Sequence, residues 1–323
     1  MRRYWIALPC CVLAAVCACA RPRVIIAYRF TKGEELRYLL TTKGEGTMSI
    51  AGLPGQKSGT TAPVKLEVEL AYTTRVRGID ARGNADIEYS FQRFASTTQS
   101  GTLKIQTEAD ERGARVIQGG TVIKDAPGLD GLRALFKNPT VIQMDTRGNA
   151  LSITPPKDVG ELLPHTNIYT LLKQTYITFP QGPVPLGHSW NEKRDITLGG
   201  GMEERLPATK ALKLDTRYTL AGVVNHEGRR CAEITLRGET AAKELELNPP
   251  QGAAVPMSVM LDHLRQSVKG NIYFDLQRGQ MRGMHVDTAQ DMAMTMKVAK
   301  GETETKFGTT TKIKMETDLK LLE

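Results

Sequence analysis

Long runs of alternating apolar and polar residues constrain the fold of this chain more than any other feature. Between Val64 and Val76 every even position is apolar or uncharged, whereas the odd positions include Lys65, Glu67 and Glu69. Successive side chains of a strand point to opposite faces, so this pattern predicts a strand with one apolar and one charged face. Such strands are typical of antiparallel sheets that face water on one side. The run also exceeds the common strand length of about five or six residues, which favours a wide, curved sheet.

The same alternation recurs in residues 212–220, 292–298 and 313–321. Short glycine-containing segments, such as those at 80–84 and 145–149, separate the runs and predict hairpin turns. Helical spacing of apolar residues is confined to Gly128–Lys137 and to Asp158–Gln174, which Pro164 interrupts. One or two short helices are therefore expected near the middle of the chain.

Several segments of the first half have counterparts in the second half. Lys32-Gly33 precedes the first long strands and Leu186-Gly187 holds the same place later, while 142–148 resembles 272–279. We predict a mostly β fold of two related antiparallel curved sheets, half-barrel-like, with one or two short helices. The predicted divisions are a signal peptide at 1–20 and β units at 21–160 and 161–323. The sequence does not decide between two half-barrels and one continuous sheet.

The N-terminus has the order of a secretory signal. Arg2 and Arg3 are followed by an apolar stretch over 4–16 and by small residues over 17–20. That order is typical of a leader that is removed after export. The apolar stretch is shorter than the about 20 residues that a membrane-spanning helix needs.

Two cleavage reactions fit this leader. Val16-Cys17-Ala18-Cys19 resembles a lipoprotein box in which Cys19 is acylated, and Cys17 has a poorer box because Val16 precedes it. Ala18-Cys19-Ala20 instead fits a site that releases a soluble chain from Arg21. We expect a lipid anchor at Cys19, which predicts a membrane-anchored protein on the periplasmic side of the cell envelope. The alternative is a soluble periplasmic or secreted protein.

Charge and cysteine content narrow the possible partners. Without Arg2 and Arg3 the chain has 41 basic and 35 acidic residues, mixed along its length with no run of five basic residues. This distribution predicts a solvated surface and no nucleic-acid partner. Cys231 is the single cysteine after the leader, so no internal disulfide is expected.

Residue patterns of catalysis are absent from the sequence. It has no Gly-x-Ser-x-Gly elbow, no Ser-x-x-Lys and no histidine with a second ligand at zinc-like spacing. His285 is expected to pair with Asn271, far from His263. Cys231 follows two arginines, but its strand position favours an incidental cysteine. We predict no enzyme activity, no metal and no cofactor.

A non-covalent site is the remaining candidate. A curved sheet can enclose an apolar cavity, and methionine suits adaptable apolar surfaces. The ligand-binding candidates on the expected inner face are Met284, Met292, Met294, Met296 and Met315. The alternative interpretation is that these methionines simply pack in the core.

Four segments resemble a family of bacterial envelope lipoproteins that is defined only as a domain of unknown function. The resemblance lies in Tyr28–Gly33, Pro183–Trp190, Tyr218–Leu220 and Gly270–Asp275, and the pattern Pro-Val-x-x-Gly-x-x-Trp is its most specific part. It implies a fold similar to the half-barrels of periplasmic lipoprotein carriers. It implies no catalytic residues.

Three functions follow as hypotheses. The leading one is a non-enzymatic envelope lipoprotein that binds a lipid, another apolar ligand or a partner protein. The second is a structural or scaffolding envelope protein with a filled core. The third is an unrecognised hydrolase.

Overall fold

The computed structural model describes residues 22–52, 59–124, 126, 128–154, 156, 176–195, 212–247, 257–300 and 303–322. These residues form sixteen strands and one helix. The leader with Cys19, and the second predicted helix at Asp158–Gln174, lie outside the described residues.

The strands are longest in the middle of the sheet, where several exceed fifteen residues. The short elements are β1 (Arg23–Val24), β5 (Leu103–Asp110), β6 (Gly113–Gln118), β7 (Thr121–Ile123), α1 (Leu129–Lys137), β8 (Thr140–Met144), β9 (Ala150–Thr154), β10 (Val184–Pro185) and β11 (Ser189–Asp195). The long strands are β2 (Glu35–Ala51), β3 (Thr60–Ile79), β4 (Ala85–Ser100), β12 (Lys213–His226), β13 (Arg229–Leu247), β14 (Met257–Asp275), β15 (Gln280–Lys300) and β16 (Thr303–Leu322).

Fourteen of the strands belong to one antiparallel sheet. Its order is β11-β12-β13-β14-β15-β16-β2-β3-β4-β5-β6-β7, with β8 paired to β4 and β9 paired to β8. The short strands β1 and β10 form a separate pair. The predicted mostly β, antiparallel fold is confirmed. The pairing of β16 with β2 joins the early and late strands into one continuous sheet, which the sequence left undecided.

One face of this sheet is buried and the other is charged, as the alternation predicts. Leu70, Leu40 and Leu319 lie opposite one another on β3, β2 and β16, and all three are buried. Their neighbour Lys320 points to the other face and is exposed. Cross-strand apolar rows of this kind stabilise a sheet through contacts between directly opposed side chains.

Two glycines mark places where neighbouring backbones come very close. A Cβ atom at Gly46 would collide with the carbonyl oxygen of Lys312, and one at Gly270 would collide with the carbonyl oxygen of His285. Both glycines lie inside long strands, where glycine commonly permits a close approach or a bend. A side chain at either position would therefore push the neighbouring strand away.

The buried side chains form two clusters at different places on the inner face. The larger cluster combines residues of early and late strands, including Tyr72, Tyr89, Tyr218 and Phe274. The smaller cluster lies on β13, β14 and β15 and contains Leu261, among others. The large cluster is the one that positions the candidate site.

The helix α1 begins one residue after the predicted segment and ends where the prediction ends. Its apolar residues Leu132, Leu135 and Phe136 are buried, and the helix packs on β4, β5 and β6. Gly128 precedes it with a positive φ of 80°. The helix covers one end of the large cluster.

Residues in the predicted turns, and the glycines that precede β2 and β11, make backbone hydrogen bonds. The Asp145 carboxylate accepts hydrogen bonds from the backbone N–H groups of Arg147 and Asn149, each at 2.9 Å. Gly33 and Gly187, which precede β2 and β11, donate to the carbonyls of Val76 and Leu220, each at 2.8 Å. These bonds fix where the strands enter the sheet.

Candidate functional site

The N-terminal segment crosses one end of the sheet and is held there by two backbone bonds. Tyr28 donates its N–H to the carbonyl of Thr146 at 2.8 Å, and Arg29 donates to the carbonyl of Gly279 at 3.1 Å. These bonds link the segment to the β8–β9 turn and the β14–β15 turn. The tyrosine ring at position 28 therefore lies over the end of the large cluster.

A small cavity lies beneath this segment, and we call it the tyrosine cavity. Its volume is about 60 Å³. A water needs roughly 10–15 Å³ by this measure, so the cavity has room for about four or five waters or one small organic molecule. Its walls are Tyr28, Arg29, Phe30, Glu34, Leu36, Tyr38, Tyr72, Thr74, Val76, Ile87, Tyr89, Met144, Tyr176, Gly279, Gln280, Met281 and Leu319.

Five tyrosine rings follow one another around the cavity wall. From Tyr38 to Tyr72, Tyr89, Tyr176 and Tyr28, successive ring centroids are 5.4, 5.9, 6.1 and 6.3 Å apart. These separations lie in the range of favourable aromatic pairs, so the rings support one another. The wall is therefore a continuous arc of phenol rings contributed by three strands and two loops.

Two buried polar side chains of the wall have no hydrogen-bond partner among the described residues. They are the Tyr89 hydroxyl and the Gln280 amide, whose Oε1 and Nε2 atoms are both unpaired. Tyr89 is fully buried, and Gln280 is 4% exposed. Leaving a buried polar group unpaired costs about 1–3 kcal/mol. The cavity therefore presents hydrogen-bonding capacity to an occupant.

The phenols of Tyr38 and Tyr89 remain protonated at ordinary pH. Burial, followed by the neighbouring Tyr72, Tyr28 and Glu34, raises the pKa of Tyr38 well above 10.0. Burial likewise raises the pKa of Tyr89 well above 10.0. Both groups therefore act as neutral hydroxyl donors. The Tyr38 hydroxyl donates to the carbonyl of Met281 at 3.3 Å.

The outer edge of the cavity carries one cation and one anion. Arg29 is exposed, and its Nη1 donates to the carbonyl of Gln277 at 3.2 Å. Glu34 is half-buried, and its carboxylate has no cationic partner in the part of the chain that the structure describes. An unpaired, partly desolvated carboxylate favours a positively charged neighbour.

A second depression lies on the charged face of the sheet. It is a trough of about 810 Å³ across β13, β14, β15, β16 and β2. Most of its wall residues are exposed, and they include acids and bases such as Glu45, Glu239, Arg265 and Lys312. The trough is open and most of its wall is exposed, so it is not the enclosed cavity that the inner face was expected to contain.

The methionine candidates lie on the inner face but are not brought together at a described cavity. Met292 is buried in the smaller cluster, with Met294 and Met296 packed against it. Met284 packs against the larger cluster and Met315 is half-buried. A ligand-binding role for these methionines stays a prediction.

Cys231 is a fully buried thiol on β13. Burial, reinforced by the nearby Asp275, raises the pKa of its thiol above 9.0, although Arg282 opposes this shift. A thiol with a raised pKa is a poor nucleophile because little thiolate forms. The two preceding arginines therefore do not activate it.

His285 lies in a group of carboxylates that the sequence did not reveal. It pairs with Asn271 as predicted, but it also lies opposite Asp318 on β16, with Nδ1 and the carboxylate 2.8 Å apart. Glu316 is 3.8 Å from the same nitrogen and Asp287 is 3.7 Å from Nε2. His285, Glu316 and Asp318 have the residue types of a metal site. The imidazole compensates these exposed carboxylates when it is protonated, and its hydrogen bond with Asp318 raises its pKa, so ion pairing accounts for the group.

The sequence did not identify the tyrosine cavity. Tyr72 belongs to the predicted apolar row of β3, but the other rings of the arc come from distant elements. Gln280 follows a predicted turn and has no local feature that distinguishes it. The sequence feature that could have indicated this cavity is the presence of tyrosines at positions expected on the buried face of the sheet. A buried tyrosine hydroxyl usually needs a hydrogen-bond partner.

Within the described residues, no helix is both long and apolar enough to cross a membrane.

Comparisons with known proteins give little further information. No family model and no curated protein matches the chain. A solved structure of an outer membrane channel from Pseudomonas putida F1 aligns with 8% identity over 91% of this chain and 97% of that chain, with a TM-score of 0.22. A likeness this weak carries no conclusion about fold or function.

Proposed function

We propose that this chain is an exported, lipid-anchored binding protein of the cell envelope that holds a small polar molecule in the tyrosine cavity. The observation that carries the proposal is the pair of unpaired polar side chains, Tyr89 and Gln280, in the wall of an otherwise apolar core. An apolar residue at position 280 would fill this space without the cost of an unpaired amide. A binding role accounts for the amide, whereas a purely structural core does not require it.

The size of the cavity narrows the ligand. Pockets for lipids or drug-sized molecules are about 300–1,000 Å³. The tyrosine cavity has about 60 Å³, so the proposed ligand is much smaller than a lipid. Scaffolding is the competing function, and it is favoured by the dense packing of the large cluster around the cavity.

Native mass spectrometry of the full chain, extracted from its own membrane in detergent, tests the proposal. We expect a retained small molecule that is lost in Gln280→Leu, which fills the site with an apolar side chain of similar size. Gln290→Leu is the matched control, because Gln290 lies on the same strand away from the cavity. A wild-type chain without any retained mass, together with a Gln280→Leu variant that is more stable than wild type, would establish scaffolding instead.

The same spectra test the anchor. We expect the mass of an acylated chain that begins at Cys19, and the acyl mass should disappear in Cys19→Ala. An unmodified mature chain that begins at Arg21 would contradict lipidation and leave a soluble protein.

A further inference from the structure

We infer that the occupant of the tyrosine cavity is a small organic cation of the methylammonium type. This inference rests on the proposed function, since it names the ligand class of that cavity. Two independent features carry it: the arc of phenol rings, and the carboxylate of Glu34 at the same cavity, which has no partner among the described residues.

The aromatic arc favours a cation because the face of each ring is electron-rich. A cation within about 6 Å of a ring centroid is attracted by the ring quadrupole, and quaternary ammonium groups are recognised in this way by aromatic cages. All five tyrosines of the arc line this cavity of about 60 Å³. An occupant of the cavity therefore lies against aromatic side chains.

Glu34 supplies the countercharge. Its carboxylate is half-buried in the cavity wall and has no ion pair or hydrogen bond among the described residues. Burial is the main cause of the raised pKa of Tyr38; Glu34 adds to the increase, and the buried Arg282 opposes it. A bound cation would be stabilised by the negative charge of Glu34.

The two arginines near the cavity each have another partner. Arg282 is 2% exposed in its side chain and forms an ion pair with Glu227 at 3.3 Å. Arg29 is exposed, so solvent screens its charge, and it donates to the carbonyl of Gln277. Glu34 is therefore the one carboxylate that the cavity wall contains, and it has no ion pair among the described residues.

The hydrogen-bonding groups add a second point of contact. The unpaired Gln280 carbonyl oxygen can accept a bond from an N–H group of a partly methylated ammonium. The Tyr89 hydroxyl oxygen can do the same. Primary and secondary ammonium ions therefore fit the wall as well as fully methylated ones.

Binding measurements with two probes of equal size test the ligand class. The probes are tetramethylammonium chloride and tert-butanol, which have the same number of non-hydrogen atoms and differ in charge. The full chain is titrated in detergent by calorimetry at constant ionic strength. We expect the cation to bind more tightly than the alcohol, and Glu34→Gln to weaken it about tenfold, as expected from removal of one nearby charge. Glu35→Gln is the control, since Glu35 is exposed and lies 3.8 Å from Arg37.

The outcomes separate the ligand class from the proposed function. Equal binding of both probes, or cation binding that survives Glu34→Gln, would overturn the cation class. A retained neutral molecule that is lost in Gln280→Leu would also overturn it, while the binding function would stand. Failure of both probes, combined with a chain that carries no retained mass, would overturn both.

Discussion

At the scale of single residues, local chemistry is set by burial more than by neighbours in sequence. Cys231 shows this most clearly, because its two preceding arginines suggest an activated thiol. Both strand faces are covered at this position, and the thiol is fully buried. Burial raises its pKa, which is the opposite of activation.

We expect Cys231 to resist alkylation in the native protein. Iodoacetamide at neutral pH should leave the peptide that contains Cys231 unmodified, because the thiol is inaccessible and protonated. The same peptide should be modified rapidly in guanidinium chloride. Peptide mass spectrometry measures both states, and rapid native labelling would contradict the buried position.

His285 provides a pH-dependent contribution to stability. Its hydrogen bond with Asp318, and the charges of Asp318, Asp287 and Glu316, raise its pKa above 6.5, while partial burial opposes the shift. A folded-state pKa above the unfolded value stabilises the protein fully below the unfolded pKa. That contribution is lost as the pH rises through the folded pKa.

NMR titration of the imidazole measures this effect. We expect the pKa of His285 to exceed that of an unfolded histidine and to fall in Asp318→Asn, which removes the charge and retains the shape. Glu246→Gln on β13 is a control at an exposed carboxylate elsewhere on the sheet. An unchanged pKa in Asp318→Asn would remove Asp318 as the main cause.

At the scale of elements, regular patterns predict the structure well and strand partners poorly. The helical spacing over Gly128–Lys137 predicts α1 to within one residue. The alternation over Val64–Val76 predicts the core of β3, but the strand runs from Thr60 to Ile79. The residues at both ends of β3 do not alternate between apolar and charged, although they still pair with the neighbouring strands. The alternation therefore underestimates the length of the strand.

Helix α1 should contribute to stability through its buried face. Leu135→Ala removes a fully buried side chain, and such changes cost about 2–5 kcal/mol. Lys137→Ala in the same helix changes an exposed residue and should cost little. Chemical denaturation gives both values, and equal midpoints would contradict the packing of α1 on the sheet.

Register explains why the carboxylates around His285 were missed. In the β14–β15 hairpin the turn pairs Asp275 with Gln280, one residue away from the expected pairing of Leu276 with Gln280. A bulge between Phe274 and Tyr273 then shifts the register, so that His285 lies opposite Asn271 as predicted. The second neighbour of β15 is β16, which contributes Asp318 and Glu316. The residues of a turn indicate only the strand that follows or precedes in the hairpin, and not the strand that pairs on the other side.

At the scale of the whole molecule, the contact between β16 and β2 connects the ends of the described chain. Leu319 on β16 lies opposite Leu40 on β2, almost the full chain length away. No local sequence signal specifies such a pair, because each strand has an apolar face that suits many partners. The tyrosine cavity depends on this pairing, since Leu319 and Tyr38 both form its wall.

The assignment of two related units at 21–160 and 161–323 stays a prediction. Gly33 and Gly187 make similar bonds, since each precedes a strand and donates its N–H to a carbonyl of the next strand along the chain. The large cluster nevertheless contains residues of both ranges, such as Leu70 and Leu220. Related units that share a core are expected to unfold together.

This shared core predicts one cooperative transition for the early and late strands. Amide protons of β3 and β12 should lose hydrogen-exchange protection at the same denaturant concentration, because neither segment keeps its core without the other. Leu319→Ala should lower that concentration for both strands, since Leu319 is 4% exposed in the joining strand. Its expected cost is about 2–5 kcal/mol.

Leu322→Ala is the matched control, because Leu322 lies in the same strand and is 40% exposed. It should leave both transitions nearly unchanged. If Leu319→Ala instead lowered the protection of β3 alone, the two segments would have separate cores.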